Sequence, residues 1–224
     1  EVSEDYAPAW MGKAWASLFL SENQYGNTLP DIALSNARPA AEKALQLDPE
    51  LPEAHAIMGL VEGDDGEEEK AIAYFQTAIT LNPNYADAYF WSSLHSGSDG
   101  FAHIEKAIQL NPMSIIINNG YGQLLQQTQK FKEAVAVAQH MLEIDSDSFL
   151  AYDLLSMISF DEGKLGESLI YQEKAMQLNP IIIKKFEVFA EFWKYGLNQQ
   201  ALGMWKNSDI YEPMQHFLNK EFDK

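Results

Sequence analysis

The sequence predicts an all-α protein, a single array of stacked helix-turn-helix hairpins over residues 1–224. Two observations carry this. One phrase recurs, as Leu45-Gln-Leu-Asp-Pro49, Ile79-Thr-Leu-Asn-Pro83, Ile108-Gln-Leu-Asn-Pro112, Leu142-Glu-Ile-Asp-Ser146 and Met176-Gln-Leu-Asn-Pro180. Its final positions lie 34, 29, 34 and 34 residues apart. Between the phrases, small residues return at fixed places, where two helices of a hairpin need to approach closely. Proline cannot donate a helix hydrogen bond and biases the residue before it towards an extended conformation, so each phrase marks the end of a second helix.

The first repeat, 7–51, is enlarged. Trp10 and Ala14 predict its first helix at about 8–20, and Ala37, Ala44 and Pro49 predict its second. Eleven extra residues fall between them, around 21–35. Thr28-Leu-Pro-Asp reads as a helix start with proline at the first position. Pro39 lies inside the apolar pattern and is expected to kink or restart that helix.

Numbering each later repeat from the residue after Pro-x-x, the repeat at 52–85 has Gly59 at position 8, Ala71 at 20, Phe75 at 24, Ala78 at 27 and Pro83 at 32. Phe75 is expected to fill the gap that the small residues leave between the helices. The repeat at 86–114 keeps Tyr89, Ser93, Ala107 and Pro112 but is five residues short at Ser96-Gly-Ser-Asp-Gly100, which predicts truncated helices. Repeats 115–148 (Tyr121, Gly122, Ala134, Ala138, Met141) and 149–182 (Leu155, Ser156, Ser168, Ala175, Pro180) have full length. A degenerate sixth unit, 183–206, holds Phe186, Phe189, Ala190 and Trp193 before a turn at Gly196. The tail 207–224 places Met214, Phe217, Leu218 and Phe222 near helical spacing, as a capping helix over the last apolar face. Glu1–Tyr6 matches the final positions of a preceding repeat, and the start without Met or signal peptide is expected of a mature form or an excised piece.

Composition narrows the function classes. The net charge is -18, with 33 acidic against 15 basic residues. Nucleic-acid binding needs a basic stripe that displaces counterions, and this balance argues against it and against anionic membranes. Such acidity is either ordinary surface solvation or a field that recruits a basic partner. No apolar run reaches the roughly 18 residues of a membrane span. With no cysteine, disulfides and thiolate metal sites are excluded, while both reducing and oxidising compartments, cytoplasmic or periplasmic, remain open.

Motifs for chemistry are few. Gly163-Lys-Leu-Gly166 lacks the spacing of a phosphate-binding loop. The histidines at 55, 95, 103, 140 and 216 form no i, i+4 pair, which suits repeat-surface or interhelix roles and no metal. The acidic run Asp64-Asp-Gly-Glu-Glu-Glu69 lacks the alternating oxygen ligands of a calcium loop and suits a helix start, where carboxylates complement the dipole. Neither a catalytic residue nor a cofactor is expected.

A 34-residue period with these residue types resembles the tetratricopeptide repeat over nearly the whole chain. The resemblance implies a right-handed superhelical stack, about five to six repeats plus the capping helix, that binds proteins without being an enzyme. Residues 6–60 are similar to something narrower. Tyr6-Ala-Pro-Ala-Trp10, Tyr25-Gly26, Leu29-Pro30, Ala33-Leu34, the stretch Ala40–Pro49 and Glu53-Ala-His55 follow in order. This resembles the C-terminal tetratricopeptide regions of bacterial winged-helix transcription activators of the CadC type, and related regions of signalling proteins. No winged helix stands in this sequence.

In the repeat family, positions 2, 5, 9, 12 and 13 of the first helices build the concave wall. The resemblance therefore points to Met11, Trp15, Leu18 and Phe19, then Ala56 and Leu60, then Asp87, Phe90 and Leu94, and then Asn119, Gln123, Gln126 and Gln127. Asp153, Met157 and Phe160, and finally Glu187, Glu191 and Lys194, complete it. The N-terminal half is aromatic and aliphatic, the C-terminal half amide and acidic. The basic clamp with which some members hold a terminal carboxylate is absent. Trp15, Phe19 and Phe90 either pack between helices or present their rings to a partner, and the amides of Asn119, Gln123 and Gln127 are either a solvated face or hydrogen-bonding groups for an extended peptide backbone.

Three functions follow. The first is a scaffold that takes a peptide or helix in the groove. The second is a sensory or regulatory region whose effector domain lies elsewhere in the protein. The third, acid-base chemistry by a pair such as Glu187/Glu191, is disfavoured, since an i, i+4 carboxylate pair on an exposed helix mostly serves solvation. A homodimer through the apolar array ends is compatible with the first two.

Overall fold

A computed structural model describes residues 5–19 and 30–179, which hold ten α-helices and no strand. The expected sixth unit with Glu187 and Glu191, the capping tail and the Thr28-Leu29 helix entry lie outside the described residues. The chain divides into two compact units, 1–133 and 134–224.

In the first unit, α1 (Ala7–Phe19) pairs with α2 (Pro30–Leu47), α3 (Pro52–Asp64) with α4 (Glu68–Leu81), and α5 (Ala86–His95) with α6 (Gly100–Leu110); α7 (Ile115–Gln127) follows. Successive hairpins touch through α2 and α3, α4 and α5, and α6 and α7. Helix α8 (Phe131–Ile144) begins at the end of this unit, and in the second unit α9 (Phe149–Asp161) pairs with α10 (Leu165–Leu178).

Local chemistry sets the helix ends. Asn82, Asn111 and Asn179, each before a proline, are extended at φ -134°, -140° and -137°, and their N–H groups donate to Ala78, Ala107 and Ala175. Asp48, Asn82 and Asp145 accept from the N–H two residues on (3.0, 3.1 and 3.0 Å), which turns the chain towards the next hairpin. Pro52 opens α3 in its first turn, while Ser114 and Ser148 cap α7 and α9 through their hydroxyls.

The turn inside a hairpin is equally regular. Gly66, Gln129 and Gly163 all stand at position 15 of their repeats with φ of 80°, 59° and 76°. After each, an N–H closes the turn: Glu67 to Glu62 O, Lys130 to Leu125 O and Lys164 to Ser159 O, at 2.8–2.9 Å.

Alanines make the hairpins close. Ala37, Ala44, Ala71, Ala78, Ala107, Ala134, Ala138 and Ala175 are fully buried, as is Phe75. In the second unit, Ser156 and Ser168 occupy the places of Gly59 and Ala71, and the Ser156 hydroxyl donates to Ser168 O at 3.0 Å. Arg38 of α2 bridges to the second hairpin, donating to Glu62 Oε1 and Asp65 Oδ2 at 2.6 Å each, so part of the acidic run serves as an anchor between hairpins.

Two features adjust the expectations. Helix α2 runs unbroken from Pro30 to Leu47 through Pro39, with no restart. Pro39 and Ser35 are both exposed, so the carbonyl that loses its helical donor can bond to water. The third hairpin is short, with helices of 10 and 11 residues joined by a 3-10 turn at Gly97–Asp99. There the Ser92 hydroxyl lies 3.0 Å from His103 Nδ1, and a β-carbon on Gly100 would meet Ser93 O at 2.7 Å.

Candidate binding cleft

The first unit contains a cleft of about 690 Å³ bounded by first helices of its hairpins. Trp15 and Leu18 come from α1, Leu60, Gly63 and Asp64 from α3, Asp87, Phe90, Trp91 and His95 from α5, and Ile116 from α7. Leu34, Tyr85 and Ser114 complete the lining. The spacing that creates it is the helical one: Asp87, Phe90 and Trp91 are at i, i+3 and i+4 and share a face of α5.

Aromatic contacts organise the wall. Trp15 and Trp91 have ring centroids 5.0 Å apart with planes tilted by 37°, and Tyr85 meets Trp91 edge-on at 6.2 Å. Trp91 and Tyr85 also lean on the buried cluster of Ala56, Ala78 and Ala88, and Trp15 on that of Ala14, Ala37 and Ile57. Phe90 has two roles. It lines the cleft, and its ring presses so closely on Gly120 of α7 that a β-carbon there would collide with it. Phe90 thus packs between helices and faces the cleft at once.

The electrostatics are one-sided. Among the described residues the lining includes Asp64, Asp87 and His95, and no lysine or arginine. His95 is tied outwards, Nδ1 2.7 Å from Glu68 Oε2, while its ring stacks on Phe75 and covers Gly63. Burial pushes the half-buried Asp87 carboxyl above the usual carboxylate range. The Tyr85 hydroxyl is likewise raised, first by burial and then by the charges of Asp87 and Glu53, so it stays protonated.

The structure brings Trp15, Leu18, Leu60, Asp87 and Phe90 of the expected wall together in this cleft. Met11 instead packs, half-buried, against the first alanine cluster, and Leu94 is 60% exposed outside the lining. Asn119 and Gln123 are half-buried and Gln127 exposed on α7, none of them lining the cleft. Asp153 and Met157 are half-buried on α9 of the second unit. The Phe19 side chain lies outside the described residues, as do Glu187 and Glu191. The expected wall did not include Gly63, Asp64 and Ile116, although they stand at positions 12, 13 and 2 of their repeats, which are wall positions too. Trp91 and Tyr85 occupy none of the wall positions; the stronger signal was the aromatic density of 85–91. Among the described residues, no group of three or more acidic or histidine side chains could hold a metal ion. No described helix is long and apolar enough to cross a membrane.

Comparison with known proteins gives the repeat its name. A model of the tetratricopeptide repeat matches residues 52–85 and 150–181. The chain is similar to the type IV pilus assembly protein PilF of Pseudomonas aeruginosa, 25% identical over 171 residues, covering 74% of this chain and 53% of that protein. It is also similar to anaphase-promoting complex subunit 3 of Schizosaccharomyces pombe, 25% identical over 122 residues, covering 52% of this chain and 18% of that protein. The chain thus spans about half the length of one curated relative and less than a fifth of the other. The crystal structure of PilW, a type IV pilus biogenesis factor, has the same fold, with a TM-score of 0.66 at 17% identity over 96% of this chain and 94% of that one. The chain carries tetratricopeptide repeats in an all-helical fold.

Proposed function

We propose that this chain is a non-enzymatic protein-interaction scaffold, and that it holds a peptide or a helix of a partner in the cleft between α1, α3, α5 and α7. The observation that carries the reading is the cleft itself: a large open hollow whose wall is mostly aromatic and aliphatic, with a few polar groups converging on it. Ile116 on its rim is 52% exposed, an apolar side chain that packing within the hairpins does not use. PilF, an assembly protein, and a subunit of the anaphase-promoting complex suit the same general role by their names.

Peptides selected on the full chain from an unbiased 12-residue library provide the test. Trp15→Ala and Ile116→Glu are each expected to weaken the selected peptides at least tenfold, with helical circular dichroism unchanged. Unaltered affinities in both variants would place the binding surface elsewhere.

A second reading, a regulatory region joined to an effector domain, is supported by the motif order in residues 6–60. The coding sequence immediately before Glu1 separates the two. A winged-helix, cyclase or kinase domain there supports the regulatory reading, and a signal peptide directly before Glu1 overturns it.

A further inference from the structure

We infer that the cleft recognises a cationic side chain, an arginine or lysine of the bound peptide, which lays its aliphatic stem along Trp15, Phe90 and Trp91 and brings its charge to Asp87. The inference deepens the scaffold reading and rests on it.

Asp87 is the reason. A carboxylate withdrawn from water on an aromatic wall is costly unless a partner charge or donor meets it. Among the described residues Asp87 has no hydrogen bond and no ion pair, and burial alone raises its carboxyl. Among the described residues, the groups around it offer no lysine or arginine. Tyr85 keeps its proton, Asp64 adds a second negative charge, and His95 is directed to Glu68 on α4. Glu53, close enough to act on Tyr85, makes the neighbourhood more negative still. The arriving group that would satisfy Asp87 is therefore positively charged.

The aromatic walls suit the same guest. The faces of tryptophan, tyrosine and phenylalanine carry negative potential that attracts guanidinium and ammonium groups, more strongly where water is excluded. A lysine or arginine stem is apolar and covers rings while its head reaches a carboxylate. The chain's net charge of -18 adds long-range attraction for a basic segment. An acidic or purely apolar anchor would leave Asp87 buried and unmatched.

The test starts from the library-selected peptides whose binding depends on Trp15 and Ile116. Each arginine or lysine is replaced by norleucine, which keeps the stem and removes the charge. At one position, a loss of tenfold or more is expected with the wild-type chain. With Asp87→Asn, of nearly the same shape, the same replacement is expected to cost less than threefold. Arginine and lysine at that position are compared directly, and a preference for arginine is expected from its stacking on Trp15 and Trp91. If cleft-dependent peptides tolerate norleucine everywhere, or lose equally to wild type and Asp87→Asn, the cationic anchor is overturned and the scaffold reading stands. If no selected peptide depends on Trp15 or Ile116, both fall. Because norleucine alters the peptide and not the protein, misfolding of a variant cannot imitate the expected result.

Discussion

Gly59 of α3 faces the ring of Phe75 of α4 so closely that a β-carbon on Gly59 would lie 2.6 Å from Phe75 Cε1. The ring is fully buried and cannot withdraw without opening the hairpin. Gly59→Ala should therefore overpack the second repeat and cost about 1–3 kcal/mol. Phe75→Leu makes room, so the double variant should be less destabilised than the two single effects added together. Urea denaturation of the four proteins measures the coupling; strict additivity would mean that the two residues do not meet.

Gly120 and Gly12 form a matched pair of helical glycines with opposite surroundings. A β-carbon at Gly120 meets the Phe90 ring, whereas at Gly12 nothing among the described residues lies within 4 Å. Gly12→Ala should stabilise by about 0.5–1 kcal/mol through backbone entropy alone. Gly120→Ala should destabilise by about 1–3 kcal/mol and, by displacing Phe90, also weaken cleft-dependent peptides. Thermal melts and peptide titrations read the two effects separately.

Asp87 makes stability and binding pull in opposite directions. Its carboxyl is raised in the folded chain, so the folded state holds the proton more firmly than the unfolded one, and Asp87 lowers stability as pH rises through that raised value. Asp87→Asn should melt at a higher temperature than wild type at pH 7. The difference should shrink as pH falls through the raised value towards the ordinary carboxylate range. A lower melting temperature for Asp87→Asn at pH 7 would show that the charge is matched in the free protein.

Gln129 occupies the left-handed turn position that Gly66 and Gly163 hold in two other repeats, at φ 59°. A side chain costs about 1 kcal/mol there, an expense glycine avoids. Gln129→Gly should raise stability by up to about that amount, and Gly66→Ala and Gly163→Ala should lower it similarly. Chemical denaturation is again the measurement.

What the sequence made legible was whatever local rules decide. The prolines at 83, 112 and 180 fix the extended residue before them wherever the chain goes next, so those helix ends could be placed to the residue. Gln129 hid a turn that glycine announces at 66 and 163, because its side chain carries no sign of a left-handed backbone. Pro39 pointed to a kink or a restart, yet an exposed helix face lets water replace the lost donor, and the spacing of Ala33, Ala37, Ala40 and Ala44 carries α2 on without a restart. The cleft was half visible. The wall positions of the repeat found Trp15, Leu18, Leu60, Asp87 and Phe90, but they also named Leu94. Leu94 is one residue from the end of α5, in its last turn, and projects to solvent. Trp91 reaches the wall through its ring contact with Trp15 of α1, which only tertiary packing determines.

The short third hairpin, which supplies Phe90 and Trp91, has a consequence for how an occupant would be felt. Hairpins in such a stack hold only their neighbours, and one with clipped helices has fewer amides locked behind complete turns, so α5 and α6 should exchange their protons for deuterium ahead of α3 and α4. Anything seated against Phe90 and Trp91 would lean on this short hairpin. Occupancy would then show itself as slowed exchange across α5 and α6, a signal detectable even if no atom of the backbone moved.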